Sequence, residues 1–333
     1  MMRTWLAMTV GLAVALPAAG SPAQRAARFV YQRRTAGPDQ TDRFSGRYRI
    51  GRDGRVSITN IAGDIVVTAG SGDEVAVEAV KRTRGDRSEL ASVRIQVDSG
   101  PGRVDIQTLH TGRNDRVSVD YTVTMPAGAS LQVHSISGSV KITGVRGAVR
   151  AESVSGAMTA ASTPRLELAK SISGNVSVSD VTDGDTLSLS SISGGVSARS
   201  VKTRSLEVSS ISGEAKLTDV TSDRLAVKSI SGGVEYEGTI AAGGSYDFNV
   251  HSGTIRLMLS NPAGFVLNAN SFSGTIRSEL PLTIGGDLNT PVAARRGRRD
   301  SFMNNRAIRA TYGDGSATVT ARTFSGDIII SRR

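Results

Sequence analysis

The chain has 333 residues, with 40 Lys+Arg against 30 Asp+Glu, 37 glycines, 4% aromatic residues and no cysteine. The missing thiols exclude disulfides, thiolate metal sites and cysteine nucleophiles, and the Gly-rich, aromatic-poor composition suits short strands and tight turns better than helices. The net charge of +10 lies in the flanks, because residues 131–280 hold 13 cations and 13 carboxylates; a neutral body argues against a polyanion groove along it.

At the N-terminus, Met1-Met2-Arg3 is a short basic start and Trp5–Leu16 (WLAMTVGLAVAL) an uncharged apolar run. Pro17-Ala18-Ala19-Gly20 then supplies small residues. This is the pattern of a secretory signal peptide (residues 1–20), cut near Gly20 or Ala23. An uncleaved anchor is the alternative, although the run is short for a span. Export is expected, to the periplasm or the cell surface, with no transmembrane segment in the mature chain. Residues 21–43 are rich in Arg, Ala, Gln and Pro without a period and predict a flexible leader.

From Arg47 alternation begins, in stretches such as RVSITNIAGDIVVTA (55–69) and RVSVDYTVTMP (116–126), separated by turns such as GRDG (51–54). Residues 44–130 predict a β-rich section that caps the strand array beginning near residue 131, since an open end would invite edge pairing.

Residues 131–282 carry a repeat. Its motif glycines fall at 138, 156, 174, 194, 213, 232, 253 and 274, steps of 18 to 21 residues. Five copies read SISG. A constant period near 20 marks a solenoid with one coil per repeat. Two and four residues after each glycine stand apolar pairs such as Val176/Val178 and Val196/Ala198, and pairs such as Leu187/Leu189 and Leu206/Val208 precede the next motif. Period two puts each pair on one face of a strand.

The residue two before each glycine (Ile136, Val154, Ile172, Ile192, Ile211, Ile230, His251, Phe272) is read as facing inward with them. The three-residue offset from Leu189 to Ile192 then requires a corner between the two. The motif glycine either faces inward, where only hydrogen fits, or takes a positive φ at a second corner. Parallel coils at about 4.8 Å would stack Ile/Val ladders inside and Ser ladders outside, in a rod on the order of 40 Å long. Right-handed winding is the default for parallel crossovers. The expectation is therefore an all-β parallel solenoid of eight to nine coils, in which SISG builds the fold. Segments of unequal length, including TDGDT (182–186) and VTSDR (220–224), gather on one edge, where solenoids carry specificity.

Residues 283–316 interrupt the rhythm and read as an inserted loop with the densest charge run of the chain, Arg295, Arg296, Arg298 and Arg299. Residues 317–333 then resume it, with Gly326 as motif glycine, and read as the final coil. NIAGDIVV (60–67), VTMPAGASLQVHSISGSVKI (123–142) and TFSGDIIIS (323–331) are similar to a bacterial β-strand-repeat family of unassigned function whose members are called adhesins, in the style of autotransporter-adhesin head domains. The resemblance covers roughly residues 44–333. It implies a β-solenoid of the bacterial envelope and brings no catalytic residues to carry over.

No cofactor is indicated. His110, His134 and His251 are far apart, and His251 is read as a filler of the inward column. No metal-ligand spacing or calcium nonapeptide occurs. Asp180, Asp183, Asp185, Asp219 and Asp223 lie in the variable segments, where acidic residues usually serve turns, although paired carboxylates on neighbouring coils could serve a polysaccharide lyase or hydrolase. Arg84-Gly85-Asp86 is a cell-attachment tripeptide of a kind that loops carry by chance. The arginine run is a linker or an anchor for anionic envelope polymers or glycans, and the export signature and lack of interleaved aromatics speak against nucleic acid. Outward serines in register could also meet an ordered surface such as ice or a crystalline glycan. The reading is an exported, non-enzymatic adhesin or scaffold.

Overall fold

A computed structural model describes residues 39–112, 116–284 and 306–333. The signal peptide (1–20), nearly all of the leader, and Arg295, Arg296, Arg298 and Arg299 lie outside the described residues. Three long strands form the middle of the molecule: Val176–Ser191, Val196–Ser210 and Ala215–Ser231. They pair in parallel and like over like, so that Val176, Val196 and Ala215 share a column, as do Leu187, Leu206 and Leu225. Val140–Thr143 and Met158–Ala161 continue these columns on one side, Val234–Gly238 and Ile255–Leu259 on the other. The inward residues are almost wholly buried. This is an all-β, solenoid-like stack whose core is its own columns of Val, Leu and Ile.

Five successive repeats turn a corner six residues after the motif glycine, where Gly144, Ser162, Asp180, Ser200 and Asp219 all adopt a left-handed backbone with φ between 52° and 77°. Small polar residues tolerate that conformation. The next residue points inward: Val145, Thr163, Val181, Val201 and Val220 are buried.

The inward assignment of the motif isoleucines is corrected by the structure. Alternation runs on without a break through Leu187, Leu189 and Ser191, and Ser191 is the buried residue at 1% exposure. Ile192 points out and is 38% exposed. The break falls after it, at the glycine. The reason lies in backbone polar groups. The corner holds a buried N–H and a carbonyl that no strand satisfies; Gly194 N donates to Ser191 Oγ at 3.0 Å, and that hydroxyl donates to Gly174 O of the neighbouring rung at 2.8 Å. Ser210 repeats the pattern with Gly213 N and Gly194 O. An isoleucine there would leave both groups unpaired. The glycine itself is fixed by close approach, for a Cβ at Gly194 would overlap the Gly174 carbonyl. Positive φ is added at Gly138 and Gly156 (121° and 137°).

At both ends, stacking order departs from chain order. Ala317–Ser325 pairs with Ser245–Ser252 on one edge and with Phe265–Ser273 on the other, and Ile328–Arg332 likewise lies between Ile255–Leu259 and Ile276–Ser278. The segment read as the last coil is thus inserted one rung inside the end. The outermost rung is Phe265–Ser273, covered by the antiparallel strand Arg306–Tyr312, so part of the expected insertion is a capping strand. The other end mirrors this: Arg55–Ala62 lies between Arg103–His110 and Ser130–Ser137. Antiparallel strands Val93–Gly100 and Glu74–Thr83 then cover that end, with Gln40–Arg49, which starts inside the expected leader, on Glu74–Thr83. NIAGDIVV is a full rung of the stack. Its Asn60 is buried where other rungs carry the inward serine, and its amide donates to Val119 O at 2.9 Å and accepts from Thr108 Oγ1 at 2.9 Å.

Candidate interaction surface

Because the inward position belongs to serine, the apolar motif residues are left outside. Ile136, Val154, Ile172, Ile192, Ile211 and Ile230 are between 38% and 52% exposed, and Phe324 and Phe272 are 51% and 44% exposed. Register sets them in one row. Ser135 pairs with Ser153 and Ser153 with Ser171, Ser191 with Ser210, and Ser252 with Ser325. The rings show the spacing directly: His251 stacks on Phe324 at 5.1 Å and Phe324 on Phe272 at 4.7 Å, with planes 9° and 5° apart. That is one rung per ring, near the strand spacing of about 4.8 Å. His251 therefore lies in the exposed row, and its reading as an inward filler is corrected. Beside every member of the row from Ile136 onward stands an exposed serine, from Ser137 to Ser325.

The row occupies a corner with a strand face on either side. One flank carries Lys170, Lys228 and Arg322 with Glu152 and Glu207; the other carries Lys141, Lys216, Arg256 and Arg277 with Glu235. Lys216 pairs with Glu235 at 3.1 Å and Lys228 with Glu207 at 3.7 Å, both exposed. Between row and flank, the residue after the glycine ties rungs together. Asp64 Oδ1 accepts from Ser139 N at 2.8 Å, Asn175 Oδ1 from Gly195 N at 2.9 Å, and Asp327 Oδ1 from Thr275 N at 2.7 Å. The hydrogen bonds from Thr275 hold the Asp327 carboxyl below the usual carboxylate range.

The other candidates do not join this surface. Asp180 and Asp219 sit at the left-handed corner. Asp183 and Asp185 line an open cavity of 310 Å³ with Arg150, Arg165 and Glu167; Asp185 is 85% exposed and pairs with Arg204 at 3.4 Å. Asp223 lies near the buried Tyr246. A 670 Å³ cleft at the capped end holds Arg84 and Gly85 of the tripeptide, but Arg84 pairs with Asp39 at 3.7 Å and Arg82 with Asp120 at 3.0 Å. His134 contacts Gln132 at 2.8 Å and Glu152 at 3.8 Å. Among the described residues no three His, Asp or Glu side chains converge as a metal site would need, and no helix is long and apolar enough to cross a membrane. Apolarity alone groups the motif isoleucine with the core and so hides the exposed row. The signal was present: counting by twos from Leu187 and Leu189 reaches Ser191.

Comparison with known proteins places the fold. The sequence model described as Toastrack DUF4097 matches residues 54–331. No curated protein matches the chain. Among solved structures, a protein named "Putative lipid binding protein" from Parabacteroides distasonis is 13% identical, with 89% of this chain and 97% of that one covered and a TM-score of 0.47. One named "putative adhesin" from the same organism is 12% identical, covers 88% and 97%, and has a TM-score of 0.44. A "putative cell adhesion protein" from Clostridium sporogenes is 9% identical, covers 88% and 100%, and scores 0.24.

Proposed function

The chain belongs to the Toastrack DUF4097 family, and from that premise we propose that it is a non-catalytic, adhesin-like or scaffolding solenoid of the bacterial envelope that binds through a repetitive outer surface. One observation carries the reading. Rung after rung puts an exposed apolar residue and an exposed serine in the same two columns, although the inward columns already supply the core. Exposed apolar rows of this extent mark interaction sites. The N-terminal signature supports export, and the reading needs no cofactor.

The rival is a polysaccharide lyase or hydrolase using Asp183 and Asp185, which share a cavity with Arg150 and Arg165. The test is twofold. The purified chain is expected to bind isolated envelope fractions saturably and to leave anionic polysaccharides uncut. Cleavage that disappears in the Asp183→Asn, Asp185→Asn, Asp223→Asn variant would replace this reading with the rival.

A further inference from the structure

The Ile/Val/Phe row stands on a corner, one residue wide, between two faces that are both net cationic. Lys170, Lys228 and Arg322 stand on one flank against Glu152 and Glu207, the latter paired with Lys228, and Lys141, Lys216, Arg256 and Arg277 on the other against Glu235, which pairs with Lys216. Even with Glu214 and Asp327 in the column between, the balance stays positive. An apolar edge with cations on both sides matches a surface that is apolar in depth and anionic at its face. We propose that this row is a keel that lays the rod lengthwise on an anionic lipid surface. The side chains from Ile136 to Phe272 enter the headgroup region, and the flanking Lys and Arg meet lipid phosphates. The inference rests on the reading above that the outer row is a binding surface, and it names the ligand class.

Two other occupants fit less well. A second copy docked row to row would touch along a single line and bring the cationic flanks together. A sugar polymer needs open aromatic faces, and here the rings of His251, Phe324 and Phe272 lie face to face on one another. Phe324 has both faces covered, so the stack presents mainly edges. Lipid insertion uses edges and aliphatic tips as they stand.

The experiment uses the chain with the same N-terminus in every variant, and vesicles of phosphatidylcholine with and without phosphatidylglycerol. The wild type is expected to co-sediment with phosphatidylglycerol vesicles at low salt and to release at high salt, because exposed charges are screened. Ile172→Thr, Ile192→Thr, Ile211→Thr together keep β-branched side chains and should weaken partitioning by about tenfold or more from the lost apolar contact. Lys170→Gln, Arg256→Gln, Arg322→Gln together should remove the preference for phosphatidylglycerol. The absence of cysteine allows a depth probe: a polarity-sensitive dye on Ser193→Cys should shift to the blue on vesicles, and the same dye on Lys202→Cys, beyond the left-handed corner, should not. The proposal is overturned if the wild type ignores these vesicles at low salt, or if the threonine variant partitions unchanged. It is equally overturned if both dyes shift alike, or if replacing Arg295, Arg296, Arg298 and Arg299 with Ser alone abolishes binding. Threonine substitutions that alter self-association or glycan retention, with vesicle binding intact, would give the row to one of the other occupants. Saturable envelope binding without vesicle binding would leave the broader function standing and remove only the lipid.

Discussion

Removing a hydroxyl at one residue and introducing one at the next tests the core assignment on which the exposed row depends. Ser191→Ala removes the acceptor of Gly194 N–H and the donor to Gly174 O, at distances of 3.0 and 2.8 Å. Both groups lie in a corner that water does not reach. A buried N–H left unpaired costs about 1–3 kcal/mol, and the weakened carbonyl adds a smaller amount, so a loss of about 2–3 kcal/mol is expected. Ile192→Thr, one residue on, puts its new hydroxyl where the side chain is 38% exposed. It forfeits two partly buried carbons, about 1 kcal/mol. Urea unfolding with a common m value reads the difference as a shift in midpoint. If isoleucine faced inward the order would reverse: Ile192→Thr would bury an unpaired hydroxyl and Ser191→Ala would be nearly neutral. Equal or reversed costs would refute the assignment and the row with it.

Gly213→Ala drives a Cβ into the Gly194 carbonyl and should abolish soluble folding, whereas Gly195→Ala, whose Cβ would come no nearer than 3.2 Å to another atom, should be far milder; circular dichroism of the two separates them. Deleting residues 317–333 removes a rung between Ser245–Ser252 and Phe265–Ser273, which exposes two strand edges and should cause aggregation visible by light scattering; simple fraying with an intact monomer would contradict the inserted position. Burial pushes the Tyr121 hydroxyl up to about 12. Its neutral form is favoured in the folded state, so its contribution is complete below pH 10 and is lost as pH rises to about 12; Tyr121→Phe should flatten the alkaline melting profile over that window. Asp327 works in the other direction. Its lowered carboxyl pKa contributes stability above the ordinary carboxylate range that is lost as pH falls through its folded value, and Asp327→Ala should make the acid profile shallower.

The fold was legible where a periodicity and a backbone requirement pointed the same way. The glycine period, the Val-x-Val pairs and the Leu-x-Leu pairs state a parallel stack, because like residues at a constant pitch have no other use for their register. NIAGDIVV carries the motif's offsets, Gly63, Ile65 and Val67 matching Gly138, Val140 and Ile142, although it falls in the section expected to be a cap. The corner was not legible. Hydrophobicity assigns Ile192 to the core, but hydrogen bonding assigns Ser191 to it, and a pattern of apolar letters has no term for an unpaired N–H. The stacking order at the ends was also hidden. Gly274 and Gly326 bear the same motif, and sequence spacing says nothing about which of them lies next to Gly253; the antiparallel strand Arg306–Tyr312, which takes the outer edge, decides it. The same limit applies to Asp64, Asn175 and Asp327, whose role in tying rungs depends on a neighbour far away in sequence.

The row has a bland reading as well, and the two can be separated. Each isoleucine is roughly half covered and register sets it beside the motif residue one rung away, so the ladder contributes to stability as any stacked column does. Stability alone, however, would be served by threonine, which is β-branched, stacks equally well and keeps the corner wet. A structural ladder predicts that threonine substitutions lower the unfolding midpoint in step with any loss of binding. A keel predicts that binding falls about tenfold while the midpoint moves by no more than the lost methyls imply. It also predicts that the loss depends on place. Threonine at Ile172, Ile192 and Ile211, where the neighbouring outward residues are mostly serines, should weaken apolar insertion and leave the salt dependence untouched. Removing Arg256, Arg277 and Arg322 at the end with the stacked rings should do the opposite. Midpoint and affinity that move together at every position would show that the row is only a zipper for the corner.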